Sequence, residues 1–347
     1  MGPHEKRTKP RITLREIADE AGLSKFAVSR ALSGKSGVSD PTRQRVLDIA
    51  EKLGYSRAQP LAQKPIGVIF DDTDIVNSEL HMQVQSGAQR EAQRLGLAVR
   101  VYWTHHPDDI ETIASASAAL IIVGPHDDAS LKRAYQTGVP IVRRGWINPL
   151  EPVDQVSGTD TESGAAVANY LMDLGHRDII YVHGLAGLRG RIERFYGMRN
   201  AMAARSNVRL HDLVWEDGGS FTQALNQAFP DGFAATAFFC SHDGLAVTVI
   251  SELLGWGYRI PDDVSVVGFG DYSAAKQILP AMTTVKTPGM EMGAMSVRVA
   301  MERLNAPEAR RYPVRIHVPH TLIIRDSTGL APEPRALRVR GERTAKA

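Results

Sequence analysis

Four side chains between positions 25 and 30 form the sharpest chemical constellation in the chain. On a helix, Lys25, Phe26, Ser29 and Arg30 share the face opposite Val28, Ala31 and Leu32. Arg30 can offer two parallel donors to O6 and N7 of a guanine, and Phe26 can pack on a thymine methyl. Lys25 can reach a base edge or a phosphate. Ser24 stands at the helix start, where it caps the helix and can also meet DNA. Thr13, Arg43 and Arg45 lie near helix starts and suit phosphate contacts. Each of these polar residues also reads as a solvated side chain. Phe26 on a polar face has a different alternative, contact with a partner protein.

Other chemistry is weaker. Gly34-Lys35-Ser36 has the ending of a phosphate loop, but no glycine stands five residues before Gly34, and the run follows a helix rather than a strand. No G-x-S-x-G, H-E-x-x-H or C-x-x-C occurs. His105 and His106 are adjacent, a spacing that does not set two ligands on one helix face. Nothing calls for a catalytic residue, a metal or a cofactor.

The residues at 25–30 need a scaffold, and the flanking sequence supplies one. Thr13-Leu14-Arg15-Glu16 has capping-box form, and Leu14, Ile17, Ala18 and Ala21 follow as one buried face. Gly22 ends that helix. Asp40-Pro41 reads as cap and first turn of a third helix, burying Val46, Ile49, Ala50 and Leu53. Three short helices, the first two joined by a tight glycine turn, make a helix-turn-helix unit. Charge agrees: residues 1–64 hold 13 Lys and Arg against seven Asp and Glu, a net of +6, whereas the rest of the chain carries 28 against 32, a net of −4. A basic module on a mildly acidic body suggests that one end meets a polyanion.

The run ITLREIADEAGLSKFAVSRALSGKSGVSDPTRQRVLDIAEKLGY (12–55) resembles the DNA-binding head of the lactose-repressor (LacI) family. The resemblance implies that Lys25, Phe26 and Arg30 read operator bases. It also implies a hinge helix with a leucine wedged into the minor groove, which kinks the DNA. Here the linker, 56–64, is shorter than usual and contains Pro60, which helix interiors exclude. Leu61 is either the wedge or packed on the body.

The 347 residues exceed one compact core. Beyond residue 65, apolar runs at 66–70, 98–103, 119–123, 140–144, 178–184, 236–240 and 264–269 alternate with amphipathic stretches. This predicts α/β architecture, parallel sheets covered by helices on both faces, with ligands at the strands' carboxyl ends. D-x-x-x-G at Asp160–Gly164, LGHRDIIYVHG (174–184), R-x-x-G at Arg194–Gly197, HDGLA (242–246), IPDDVSVVGF (260–269) and PAMTTV (280–285) resemble the same family's periplasmic-binding-protein-like sensor domain. By that pattern the sensing domain is 65–329. Its N-lobe is about 65–160 plus 287–318, and its C-lobe about 161–286 plus 319–329. The Pro/Arg/Ala-rich tail, 330–347, has the composition of a disordered segment.

The resemblance assigns the effector site. Arg194 fills the cleft arginine, whose planar guanidinium suits vicinal hydroxyls or a carboxylate. Glycine occupies the usual aspartate position in Gly268-Phe269-Gly270-Asp271, so either Asp271 substitutes one residue later or the acceptor is missing. His242 is a ligand contact or a hydrogen-bonded structural histidine, and Asp160 a hydroxyl acceptor, a helix cap, or both. Trp146 and Phe221 match positions that lay a ring over the ligand, with core packing as the alternative. Asp72 is a candidate by position alone. Arg143-Arg144 after a strand favours an anionic ligand or reads as a salt-bridged surface pair.

The whole predicts a homodimeric, or tetrameric, regulator that binds a pseudo-palindromic operator and is controlled by a small sugar-like effector between two lobes. With one cysteine, no visible signal peptide and no apolar run near the ~18 residues of a membrane span, the cytoplasm is the expected location. A solute-binding protein would share the lobes but not the basic head. A sugar-processing enzyme would need a catalytic motif.

Overall fold

The computed structural model describes residues 13–32, 37–53, 64–74, 77–184, 188–215, 219–305 and 312–333. Two units separate at Gln63 and Lys64. The linker residues Pro60 and Leu61 and the tail from 334 lie outside the described residues.

In the head, α1 (Leu14–Ala21), α2 (Lys25–Leu32) and α3 (Asp40–Lys52) form the three helices. The Thr13 hydroxyl accepts from the Glu16 amide at 3.4 Å, while the Thr13 amide donates to the Glu16 carboxylate at 2.5 Å. Gly22 closes α1 in the left-handed region at φ 63°, which costs glycine least. Ser24 Oγ then accepts from the Ala27 amide at 3.1 Å and starts α2. Asp40 is not the residue before α3, as its sequence suggests, but the first residue within it. Ile17, Ala18, Ala21, Val28, Ala31, Leu32, Val46 and Ala50 form the head's core.

The body holds two six-stranded sheets. The first runs β11 (Arg315–Val318), β5 (Asp154–Gly158), β4 (Ile141–Arg144), β3 (Ala119–Val123), β1 (Ile66–Phe70) and β2 (Val99–Trp103), all parallel. The second runs β12 (Thr321–Ile323), β10 (Thr283–Lys286), β9 (Ser265–Gly270), β8 (Ala237–Cys240), β6 (Asp178–Val182) and β7 (Arg209–Leu213). Only β12, against β10, is antiparallel. All five residues of β1 and of β3 are buried, the pattern of parallel strands covered on both faces. The chain passes between lobes at 158–160, 286–289 and 318–321, leaving each time from the sheet edge formed by β5 and β11 or by β10 and β12.

Glycines set the helix crossings. In the second lobe α7 (Asp160–Asp173) and α8 (Arg189–Ala203) touch backbone to backbone. A β-carbon on Gly164 would stand 1.9 Å from the Arg194 carbonyl oxygen, and one on Gly197 would stand 1.9 Å from that of Thr161. The D-x-x-x-G and R-x-x-G motifs are therefore two sides of one contact, and their glycines let Asp160 and Arg194 meet. Past residue 329 the chain is still attached, the Ala331 amide donating to the Leu174 carbonyl at 2.8 Å.

Candidate functional site: an outward helix face and an interlobe cleft

On α2, Lys25, Phe26 and Ser29 are exposed, Phe26 by 69%, because the opposite face is spent on the core. Arg30 is half-buried, its guanidinium carbon 5.4 Å from the Phe26 ring centre. Thr13 is exposed with its hydroxyl in the capping box; Arg43 is half-buried and Arg45 exposed.

A cavity of about 760 Å³ lies between the lobes at the carboxyl ends of the strands. Arg194 is fixed on three sides. Its Nε donates to Asp160 at 2.8 Å, Nη1 donates to the Ser241 carbonyl at 2.5 Å, and its guanidinium carbon sits 3.4 Å over the Phe269 ring centre. Asp160 is the first residue of α7, and Thr159 before it makes no side-chain cap. His242 precedes α10 (Asp243–Gly255), and its Nδ1 accepts from the Gly244 amide at 3.0 Å. That bond leaves the proton on Nε2, a donor with no partner among the described residues. Burial, reinforced by Arg191 and Arg194, lowers the His242 pKa to about 3, so the ring is a neutral donor. Trp146 lines the cleft with Arg189 of the other lobe 4.9 Å from its ring.

Three expected residues lie elsewhere. Phe221 is 2% exposed in the second lobe's core, stacked on Trp256 and edge-on to Trp215, so its ring faces no ligand. Asp72 points away from the cleft and bonds the His105 ring at 2.7 Å. Asp271 does not substitute for the missing aspartate. Its carboxylate is held by Arg325 at 2.5 Å and Lys276 at 3.7 Å, outside the cleft lining. The physical reason is next door: a β-carbon on Gly270 would stand 2.1 Å from the Tyr272 ring, so Tyr272 fills the space that a side chain at 270 would need. Tyr272, from the second lobe, packs into the first lobe's core and lines the cleft, 5.2 Å from the His242 ring.

Sequence reasoning missed Tyr272, Thr287 and His81 and left the two arginines of β4 undivided. Arg143 Nη1 pairs with Glu151 at 3.1 Å. Arg144, 8% exposed, donates only to the Met292 sulfur at 3.6 Å. Adjacent strand residues point to opposite faces, so one carboxylate cannot serve both.

An exposed reading helix on a small three-helix head, followed by a two-lobed cleft domain, defines a DNA-binding regulator with a ligand-sensing body. Residues 13–58 match bacterial regulatory proteins of the lacI family, and residues 168–328 match a periplasmic binding protein-like domain. The chain thus joins a LacI-type helix-turn-helix head to a periplasmic binding protein-like domain, and the curated relatives it resembles are transcription regulators. It is 28% identical over 331 residues to the HTH-type transcriptional regulator DegA of Bacillus subtilis, covering 91% of this chain and 98% of DegA. Its fold matches the lac repressor dimer bound to operator and the anti-inducer ONPF, with a TM-score of 0.67 and 22% identity over 92% of this chain and all of that one. It also matches the transcriptional regulator CelR in complex with cellobiose, with a TM-score of 0.65 and 23% identity over 91% of this chain and all of that one.

Proposed function

We propose that this regulator works as a cytoplasmic homodimer whose paired α2 helices read a pseudo-palindromic operator, and that a small polyhydroxylated, sugar-type effector in the cleft controls its occupancy. Lys25, Phe26, Ser29 and Arg30 make the groove contacts, with Ser24, Thr13 and Arg43 at the backbone. In the body, Arg194, Asp160 and His242 face ligand hydroxyls, and Trp146 borders them. Support for the effector class comes from one observation above all: Arg194 lies flat on Phe269 and is already neutralised by Asp160, leaving its free edge suited to neutral acceptors. The cavity volume fits a mono- or disaccharide.

Selection of bound duplexes from a random pool, then titration of candidate sugars against the selected complex, tests this reading. Arg30→Ala should lose roughly 1–3 kcal/mol of discrimination at one base position and keep its effector response. Arg194→Ala should keep the operator and lose the response. If Arg194→Ala responds to the same sugar at the same concentration, the cleft assignment is wrong.

A further inference from the structure

We infer that the effector carries a compact oxyanion, a carboxylate or a phosphate, that lies on Arg144 at the carboxyl end of β4. The inference rests on the cleft being the effector site and adds the charge of its ligand. Arg144 lines the cavity, is more than nine-tenths buried, and its Nε has no hydrogen-bond partner among the described residues. Its one acceptor is the Met292 sulfur, and no carboxylate among the described residues lies within ion-pair distance. The acids lining the cleft are engaged elsewhere: Asp74 with Asn77 and His81, Asp128 with Asn148, Asp160 with Arg194, and Glu193 with Arg189. Asp127 caps α6 (Asp128–Gln136) through the Ser130 amide, and Glu162 is exposed.

A buried guanidinium with no carboxylate bonded to it is costly even with Asp160 and Asp74 at a distance, and guanidinium does not escape that cost by losing its proton at neutral pH. Arg194 shows the alternative solution in the same cavity, since a carboxylate of the protein already answers it. The lining around Arg144 also holds neutral donors without protein partners: His242 Nε2 and the hydroxyl of Thr287, itself 5% exposed. An anion on Arg144 with hydroxyls toward Arg194 and Asp160 would satisfy both halves of the site.

The test is thermal melting of the full chain, of Arg144→Met and of Arg144→Lys at fixed ionic strength in chloride. The probes are glucose, glucuronate, glucose 6-phosphate and inorganic phosphate. At least one oxyanion should raise the melting temperature of the native chain, with affinity at least tenfold weaker in Arg144→Met and partly kept in Arg144→Lys. Without ligand, Arg144→Met should melt at or above the native chain, because an unanswered charge has gone. The glucuronate and phosphate arms separate a carboxylate from a phosphate. The inference is overturned if no oxyanion stabilises the native chain, if Arg144→Met is stabilised equally, or if that variant alone melts several degrees lower. Stabilisation by glucose alone would overturn it and leave the sugar reading standing. Stabilisation by inorganic phosphate alone, dependent on Arg144, would uphold it and remove the sugar.

Discussion

Burial holds His176, His320 and His242 neutral, and this sets an acid limit. His176, fully buried between Thr236 Oγ1 at 2.8 Å and the Gly329 carbonyl at 3.2 Å, has its pKa lowered by burial to about 4. His320 is lowered to about 4 and His242 to about 3, also chiefly by burial. For each, the unfolded chain takes up a proton below about 6.5 while the folded chain refuses it until far lower. Unfolding therefore binds protons in that window, and stability falls as pH falls from about 6.5 to 4. Asp243 opposes this. Burial raises its pKa from 3.8 to about 6, so its share of stability is lost as pH rises through that interval. His105, raised by its bond to Asp72, sides with Asp243, while His126 and His183, lowered by burial, join the three histidines, and the lowered histidines outweigh the two opposing groups. Urea unfolding should show stability nearly flat above pH 7 and declining toward pH 5, by about 2 kcal/mol for a single histidine of this kind. His176→Gln should flatten the decline, and an unchanged slope would remove His176 from the account.

At the scale of elements, the α7–α8 crossing carries both a packing contact and a site contact. In Gly197→Ala the new methyl would collide with the Thr161 carbonyl, so the helices must separate, at roughly 1–3 kcal/mol. The same separation pulls Arg194 from Asp160, three residues from the clash. We expect a melting temperature lower by several degrees and a weaker effector response with the operator sequence preference intact; an unchanged melting temperature would show that the crossing has slack. This crossing also explains what the sequence made legible. Its motifs pointed to Arg194 and Asp160 because a backbone contact and an ion pair each demand fixed residue types. Strands such as IGVIF and ALIIV were equally plain, since both their faces are covered. By contrast β7 and β11 are edge strands with polar, half-exposed residues, and β5 is buried with Asp154 held by Arg303 at 2.6 Å, so none shows an apolar run. Phe221 and Asp271 were misplaced because position along a motif does not reveal where a side chain turns. Tyr272 took the space near Gly270, and Arg325 took the carboxylate.

At the scale of the whole body, polar contacts as well as the Tyr272 packing reach across the cleft. Glu79, on α4 (Ser78–Leu95), accepts from the Ser273 amide at 2.9 Å and its hydroxyl at 3.0 Å. The second is the Arg189–Trp146 stack. Both join the two lobes rather than build either one, so if the effector acts by closing the cleft they would favour the closed arrangement. Glu79→Ala should weaken effector affinity by about fivefold, equivalent to ~1 kcal/mol, while the melting temperature moves by no more than about a degree. An equal loss of effector binding and of lobe stability would contradict this division.

The three passages between lobes would give such a closure its geometry. The first and third are stitched together, since the His320 amide donates to Thr159 Oγ1 at 3.1 Å and its ring meets Ser163 Oγ at 2.8 Å. The second is fastened separately, the Thr287 amide donating to the Gly270 carbonyl at 3.3 Å. Three ties along one edge act like the knuckles of a door: they permit swing about a single line and resist sliding and twisting. An effector bound as proposed at Arg144 or Arg194 would then act through one angle, and a one-dimensional output is the simplest signal that the two halves of the proposed dimer could compare.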